Sequence, residues 1–369
     1  MSSHDPSADH RFMALALSLG RRELGRTWPN PAVGAVLVRE GGQIVGRGWT
    51  QAGGRPHAET EALRRAGEAA RGATLYVTLE PCSHHGKTPP CADAIIAAGV
   101  RRVVSAMEDP NPHVAGSGHA RLRAHGVLVE IGLGSDEARR THAGHMRRMR
   151  DHRPHVTLKL AISADGKAGL AGRRPVSITG ESARERVHLM RTQSDAILVG
   201  IGTAIAEDPL LTCRLPGMEA RSPVRIVLDP ALRLPRASRL EQTARWTPLW
   251  IVSAGSAPSA AEGTLRKDGA EIIRLGNGAT LDISQVLKAL AERGITRLMV
   301  EGGPTVAAAF VNADLVDEAV LFRSSKVIGP GGIDALEGLD LKSLTQSAKL
   351  VHSGTDVVGG DAIEYFRRP

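Results

Sequence analysis

Apolar positions in residues 10–24 recur at helical spacing, with Phe12, Leu15, Ala16 and Leu19 on one face, and predict an amphipathic helix. The run VGAVLV at 33–38 reads as a buried strand, and 43–49 as its hairpin partner. Helical spacing returns over 58–71. ATLYVTL (73–79) then reads as a strand, 92–98 as a helix, 101–107 as a strand, 117–125 as a helix and 127–131 as a strand. Strands alternating with helices predict a layered α/β domain. The basic stretch 138–154, ARRTHAGHMRRMRDHRP, reads as a terminal helix with a solvated face, ended before Pro154. A nucleic-acid patch is the rival reading of that stretch. The domain boundary falls near 150, giving domains 1–150 and 151–369.

A second alternation starts at 155 with HVTLKLAIS. Strands are expected at 195–199, 224–228, 248–253, 270–274 and 297–300. Helices are expected at 181–193, 284–293 and 304–313. The tail, 318–323 and 345–366, reads as strand-rich. No motif repeats between the halves, so the pattern describes two α/β domains of different kinds.

Composition narrows the class. Apolar residues make up 42% of the 369, which excludes a disordered chain. No apolar run is long enough to span a bilayer, so no membrane partner is expected. The opening MSSHDPSADHRF has no apolar stretch of the secretory kind, and cytoplasm is the expected location. The net charge of +8 suits a phosphorylated substrate or RNA. Aromatic residues, at 3%, are too few to favour stacking on single strands. No nucleic-acid partner is expected, and a homo-oligomer is.

The strongest chemical signal lies in the first half. Residues 57–59 are His-Ala-Glu, and 80–91 are Glu-Pro-Cys-Ser-His-His-Gly-Lys-Thr-Pro-Pro-Cys. One imidazole and two thiolates supply three ligands for tetrahedral zinc, and the fourth position is left for water. Zinc lowers that water's pKa towards ~7. Glu59, two residues after His57, can stay off the metal and shuttle protons to a leaving amine. His57 precedes the helix at 58, Cys82 follows the strand 73–79, and Cys91 opens the helix at 92. All three therefore lie at element ends on one sheet edge. Hydrolytic deaminases combine His-x-Glu with Pro-Cys-x-x-Cys. Here eight residues, SHHGKTPP, separate the cysteines instead of two, and this insert can contact substrate. Within it, Lys87 is a mobile point charge suited to phosphate. His84 is either a donor or an ordinary loop residue. Pro29-Asn30-Pro31 is either a rigid loop presenting an amide or a simple turn. The competing reading of the cluster is a closed structural site with His84 or His85 as fourth ligand.

The second half is quieter. The strand at 195–199 runs into Gly200-Ile-Gly202-Thr203, and that at 297–300 into Glu301-Gly-Gly-Pro-Thr305. Glycines between a strand and a helix let backbone approach a pyrophosphate. Neither stretch matches G-x-G-x-x-G, but two such loops in one domain favour a dinucleotide.

His57-Ala-Glu59, Pro29-Asn-Pro-Ala-Val-Gly34 and the segment from Glu80 to Cys91 resemble the deaminase half of the bifunctional riboflavin-biosynthesis deaminase-reductase family. The pattern continues through Lys159-Leu-Ala161-Ile-Ser-Ala-Asp165-Gly-Lys, Val199–Pro209, Leu211-Thr-Cys-Arg214 and Glu301–Thr305, which resemble its reductase half. The resemblance implies a cytidine-deaminase-like α/β/α domain followed by a dihydrofolate-reductase-like α/β domain. It implies zinc on His57, Cys82 and Cys91, with Glu59 as the proton shuttle and Asn30, His84 and Lys87 on the substrate. It implies NADPH along Ala161, Ser177, Thr203, Glu207 and Gly303, Pro304, Thr305 and Val306. Lys159, Thr179, Arg191, Leu211, Arg214 and Glu301 are implied to surround the ribose and its phosphate. A guanidinium fork suits the phosphate oxygens.

Two departures stand out. The family often has Asp at position 207 and Trp at 177. Ser177 removes a flat apolar wall beside the cofactor. The expected reactions are hydrolytic deamination of a phosphorylated pyrimidine ribosylamine, then reduction of its opened ribose by NADPH. Lys159 and Glu301 are the candidates for proton handling at the ring oxygen. Two rivals remain. One is a tRNA or nucleoside zinc deaminase with an appended binding domain. The other is a non-enzymatic module stabilised by zinc.

Overall fold

The computed structural model describes residues 6–86, 89–112, 114–174 and 176–369, with backbone alone at 6 and 173. Contacts divide the chain into two compact units between Arg153 and Pro154. Lys87 lies outside the described residues.

The first unit holds a five-stranded sheet of β1 (Gly34–Val38), β2 (Ile44–Trp49), β3 (Thr74–Val77), β4 (Arg102–Ser105) and β5 (Leu128–Ile131). Its order is β2-β1-β3-β4-β5. β1 runs antiparallel to both neighbours, whereas β3, β4 and β5 are mutually parallel. Every residue of β1 is buried, because helices cover both faces. α1 (Pro6–Arg21) packs on β1 and β3. α2 (Ala58–Ala66) packs on β2 and β1, and α3 (Cys91–Ala97) and α4 (Ser117–Ala124) follow it side by side. A Cβ at Gly48 would stand 2.0 Å from the carbonyl oxygen of Ala58, so the glycine lets α2 lie directly on β2. This unit is the expected α/β/α sandwich.

Two elements differ from the pattern. The helix expected over 58–71 ends at Ala66, where Gly67 takes φ 52°, and a single 3-10 turn follows. The terminal helix expected over 138–154 is two helices, α5 (Ser135–Thr141) and α6 (Ala143–Asp151), broken at His142. His142 is buried, its Nε2 3.2 Å from both the carbonyl and hydroxyl oxygens of Thr78. The break turns this residue from the solvated face into the core.

The second unit is built on a nine-stranded sheet. In chain order the strands are β6 (His155–Ile162), β7 (Lys167–Gly169), β8 (Ala196–Gly200), β9 (Val224–Leu228), β10 (Leu249–Ala254), β11 (Glu271–Leu275), β12 (Arg297–Val300), β13 (Glu318–Arg323), β14 (Ile333–Asp334), β15 (Val351–Val358) and β16 (Asp361–Arg367). The sheet order is β11-β10-β9-β8-β12-β6-β13-β16-β15, and β7 pairs separately with β14. The strands from β11 to β13 are parallel; β16 and β15 close the edge antiparallel. The helices are α7 (Glu181–Thr192), α8 (Ile201–Glu207), α9 (Arg239–Gln242), α10 (Ser259–Lys267), α11 (Ile283–Glu292), α12 (Pro304–Asn312) and α13 (Lys342–Thr345). β12 inserts between β8 and β6, so the winding reverses there. In an open α/β sheet such a reversal leaves a crevice at the carboxyl ends of the strands, where ligands bind.

Candidate functional sites

The first site forms where three chain segments end. His57 caps α2, Cys82 lies in the coil beyond β3, and Cys91 opens α3. Their donor atoms lie within 4.8 Å of one another. The Nδ1 atom of His57 is 3.7 Å from the Cys82 sulfur and 3.4 Å from the Cys91 sulfur. Zinc–sulfur and zinc–nitrogen bonds of about 2.3 and 2.0–2.1 Å, at a tetrahedral angle, require an N···S edge of about 3.6 Å. The spacing therefore fits one tetrahedral cation. Among the described residues, His84 and His85 do not join the group. His84 is exposed.

Electrostatics support a cation here. A hydrogen bond from the Cys91 thiol holds Cys82 down at about 4, helped by His57 and against burial. The same bond, together with burial, pushes Cys91 up. The hydrogen bond to Cys82 raises His57. A divalent ion at this spacing would take the place of the thiol protons. Glu59, on the first turn of α2, is buried, and desolvation pushes its carboxyl up to about 7. The side-chain amide of Asn30 donates to the Gly54 carbonyl at 2.7 Å, bracing the loop that leads into His57.

The second site lies at the reversal point. A cavity of about 400 Å³ is lined by Ser177, Thr203, Glu207, Gly303 and Pro304, and also by Gly169, Arg174 and Ile333. A Cβ at Gly303 would stand 2.7 Å from the Thr203 hydroxyl, so the missing side chain leaves the start of α12 close to α8. Such a cradle, beside the start of α12, fits the phosphate and ribose parts of a dinucleotide. Ala161, Thr305 and Val306 are not among the cavity's lining residues. Ala161 packs against the core beneath α7, and the Thr305 hydroxyl pairs with Glu337.

Beside the cavity the polar residues are interlocked. Arg191 grips Glu301 through two hydrogen bonds of 2.7 and 2.9 Å and donates to the Thr212 carbonyl at 2.9 Å. Burial raises the Glu301 carboxyl, but Arg191 outweighs it and holds the group at about 2. Burial pushes the Lys159 ammonium down, against the pull of Glu301. Leu211 takes a left-handed φ of 56°, which bends the 210–214 loop. Thr179 is buried, and its carbonyl accepts from Arg184 at 3.2 Å.

Sequence reasoning missed His188, whose Nδ1 accepts the Arg214 N–H at 3.3 Å. Its only signal is the spacing His188-x-x-Arg191 on α7. It also missed the β7–β14 wall of the cavity, because strands of two and three residues leave no periodicity.

Comparison with known proteins agrees with this division. Residues 6–107 match the cytidine and deoxycytidylate deaminase zinc-binding region, and 154–359 match the RibD C-terminal domain. The riboflavin biosynthesis protein RibD of Aquifex aeolicus is 39% identical over 98% of both chains. That of Escherichia coli is 41% identical over 95% of this chain and 98% of its own. Acinetobacter baumannii RibD superposes with a TM-score of 0.88 at 33% identity, covering 99% of this chain and 100% of that one. A diaminohydroxyphosphoribosylaminopyrimidine deaminase/5-amino-6-(5-phosphoribosylamino)uracil reductase from Thermotoga maritima gives 0.86 at 34% identity, covering 99% and 100%.

Fold and sites therefore define a two-domain enzyme, a zinc-type deaminase joined to a reductase. The chain belongs to the RibD family of bifunctional riboflavin-biosynthesis enzymes. The second half is a reductase domain, and the reading of it as an appended nucleic-acid module is set aside. Zinc and a nicotinamide cofactor are what these two domains imply. Among the described residues no helix is long and apolar enough to cross a membrane.

Proposed function

We propose that the chain deaminates 2,5-diamino-6-(5-phosphoribosylamino)pyrimidin-4(3H)-one and then reduces 5-amino-6-(5-phosphoribosylamino)uracil to its ribityl form with NADPH. The observation that carries the first half is the convergence of three zinc-competent donors beside the buried carboxyl of Glu59. The chemistry zinc brings to His57, Cys82 and Cys91 is activation of a water molecule. Glu59 would hold a proton beside that water and pass it to the departing amine. Its elevated pKa suits both directions near neutral pH. Asn30 and His84, with Lys87 outside the described residues, are assigned to the pyrimidine and its phosphate.

In the second half the nicotinamide supplies hydride chemistry, and the protein positions and polarises. Ser177, Thr203, Glu207, Gly303 and Pro304, which line the cavity, hold the cofactor. Arg214 binds phosphate; Arg191, whose fork is taken by Glu301 and the Thr212 carbonyl, does not reach it and instead braces the 211–214 loop, which Thr179 and Leu211 shape around the ribose. Lys159, eased towards its neutral form by burial, handles the proton at the opening ring oxygen while Glu301 holds Arg191 in place. The enzyme is assigned to the cytoplasm as a homo-oligomer, and light scattering on the eluting peak tests the latter.

The discriminating experiment follows ammonia release and NADPH absorbance separately in the full chain. Glu59→Gln is expected to lose ammonia release by at least a hundredfold, while still oxidising NADPH when given the deaminated substrate. Normal ammonia release in that variant would refute the shuttle role.

A further inference from the structure

The two sulfurs come from segments joined by an insert that is exposed at 84–86 and 89. Among the described residues the segments are tied directly by the hydrogen bond between the two sulfurs and by two backbone donors. The Cys91 N–H donates to the Cys82 sulfur at 3.3 Å, and the Ala92 N–H to the Cys82 carbonyl at 3.1 Å. α4 reaches both segments from outside.

Glu80 lies two residues before Cys82, with its carboxylate wholly enclosed. Its Oε2 accepts the N–H groups of Asp109 (3.0 Å) and Gly116 (2.9 Å). Its Oε1 accepts those of Gly118 (2.7 Å) and His119 (3.3 Å), at the start of α4. Four amide donors on one carboxylate satisfy a charge that burial would otherwise penalise. The approach is so close that a Cβ at Gly118 would stand 2.0 Å from the Pro81 carbonyl oxygen.

One turn further along α4, Arg121 faces both cysteine segments. Its Nη1 donates to the carbonyl of Ser83, the residue after Cys82, at 3.3 Å. Its Nε and Nη2 grip both oxygens of Asp93, two residues after Cys91, at 2.6 and 3.0 Å. A planar fork can serve a carbonyl and a carboxylate at once, which a point-charge ammonium cannot.

We propose that Glu80 and Arg121 are positioning residues of the metal centre, and that α4 acts as a clamp setting the distance between the Cys82 and Cys91 sulfurs. The inference rests on the reading of His57, Cys82 and Cys91 as a zinc site. Partners that hydrogen-bond the ligands themselves typically alter metal affinity 10- to 100-fold, and Arg121 and Glu80 act one residue further out, so the lower end of that range is expected.

The test uses the full chain loaded with Co²⁺, read by its thiolate charge-transfer band and by the rate of metal loss to excess chelator. Far-ultraviolet circular dichroism and the unfolding transition of the first unit, which carries all three residues, serve as the control for folding. Arg121→Ala is expected to speed metal loss about tenfold with the control unchanged. Arg121→Lys keeps the charge without the fork and is expected not to restore retention. Asp93→Asn is expected to match Arg121→Ala, and the double variant to lose no more than either alone. Glu80→Gln puts an amide donor among four donors and is expected to be the most severe. Should that variant fail to fold, the Arg121 and Asp93 pair still decides the matter. Metal loss at the wild-type rate in both Arg121→Ala and Asp93→Asn overturns the clamp. A wild type that takes up no Co²⁺ overturns the zinc reading itself, a separately visible result.

Discussion

Arg191 and Glu301 meet across 110 residues of chain, each with about a tenth of its side chain exposed. Neither charge is tolerable there without the other. Removing one partner of a buried pair leaves an unpaired charge and typically costs about 3–5 kcal/mol. Glu301→Gln is therefore expected to destabilise the second unit by about 3 kcal/mol, read as a shift in urea midpoint, and to abolish reduction. His188 makes a pH prediction at the same place. Burial, with Arg191 and Arg214 nearby, lowers its pKa to about 4 from the usual 6.5, against the opposite pull of Glu301. Between those values the unfolded chain binds a proton that the folded one refuses, so stability falls as pH drops through this window. Wild type is expected to lose more stability than His188→Asn between pH 7 and 4.5. An equal loss in the two proteins would contradict the assignment. These partners were the least legible features of the sequence. Nothing near Arg191 announces Glu301 as its mate, and only the resemblance brought both to one site. The zinc-type donors were legible because two come from one short segment and the third carries its glutamate two residues on.

Elements were readable where burial leaves a run. β1, β8, β9 and β10 are buried throughout, and each is a continuous apolar stretch bar Arg225 and Ser253. The pattern failed where packing overrides periodicity. The α5–α6 break depends on the contact of His142 with Thr78, which lies 64 residues earlier, and the basic residues around it give no hint. α4 was visible as a helix, but its grip on Glu80 was not, because a carboxylate accepting backbone amides leaves no partner residue type to look for. The seating of α2 gives the prediction at this scale. Gly48 is the point of contact, and the atom it meets is the carbonyl oxygen of Ala58, between His57 and Glu59. Backbone cannot yield as a side-chain tip does. Gly48→Ala is expected to cost about 1–3 kcal/mol in stability. It also displaces the start of α2, so weaker Co²⁺ retention should accompany that loss.

At the scale of the whole chain, the sulfur and imidazole donors belong to the first compact unit, and the cavity and arginine cluster to the second. Each chemistry can then be silenced without the other. Chelation makes the sharper demand, because it also separates an open catalytic site from a closed structural one. A closed site contributes its binding energy to folding, and stripping the metal unfolds the domain. The first unit is expected not to depend on the metal in that way, because its sheet is covered by helices on both faces and its core runs from Phe12 to Ala138. Metal removal is therefore expected to stop ammonia release and to leave NADPH oxidation on the deaminated substrate intact. The circular dichroism signal should persist, with the first unfolding transition only modestly lowered. Re-addition of one equivalent of Zn²⁺ should restore ammonia release without a refolding step. If chelation instead melts the first unit at room temperature, the three donors are holding the fold together, and the open fourth position loses its place in the reaction.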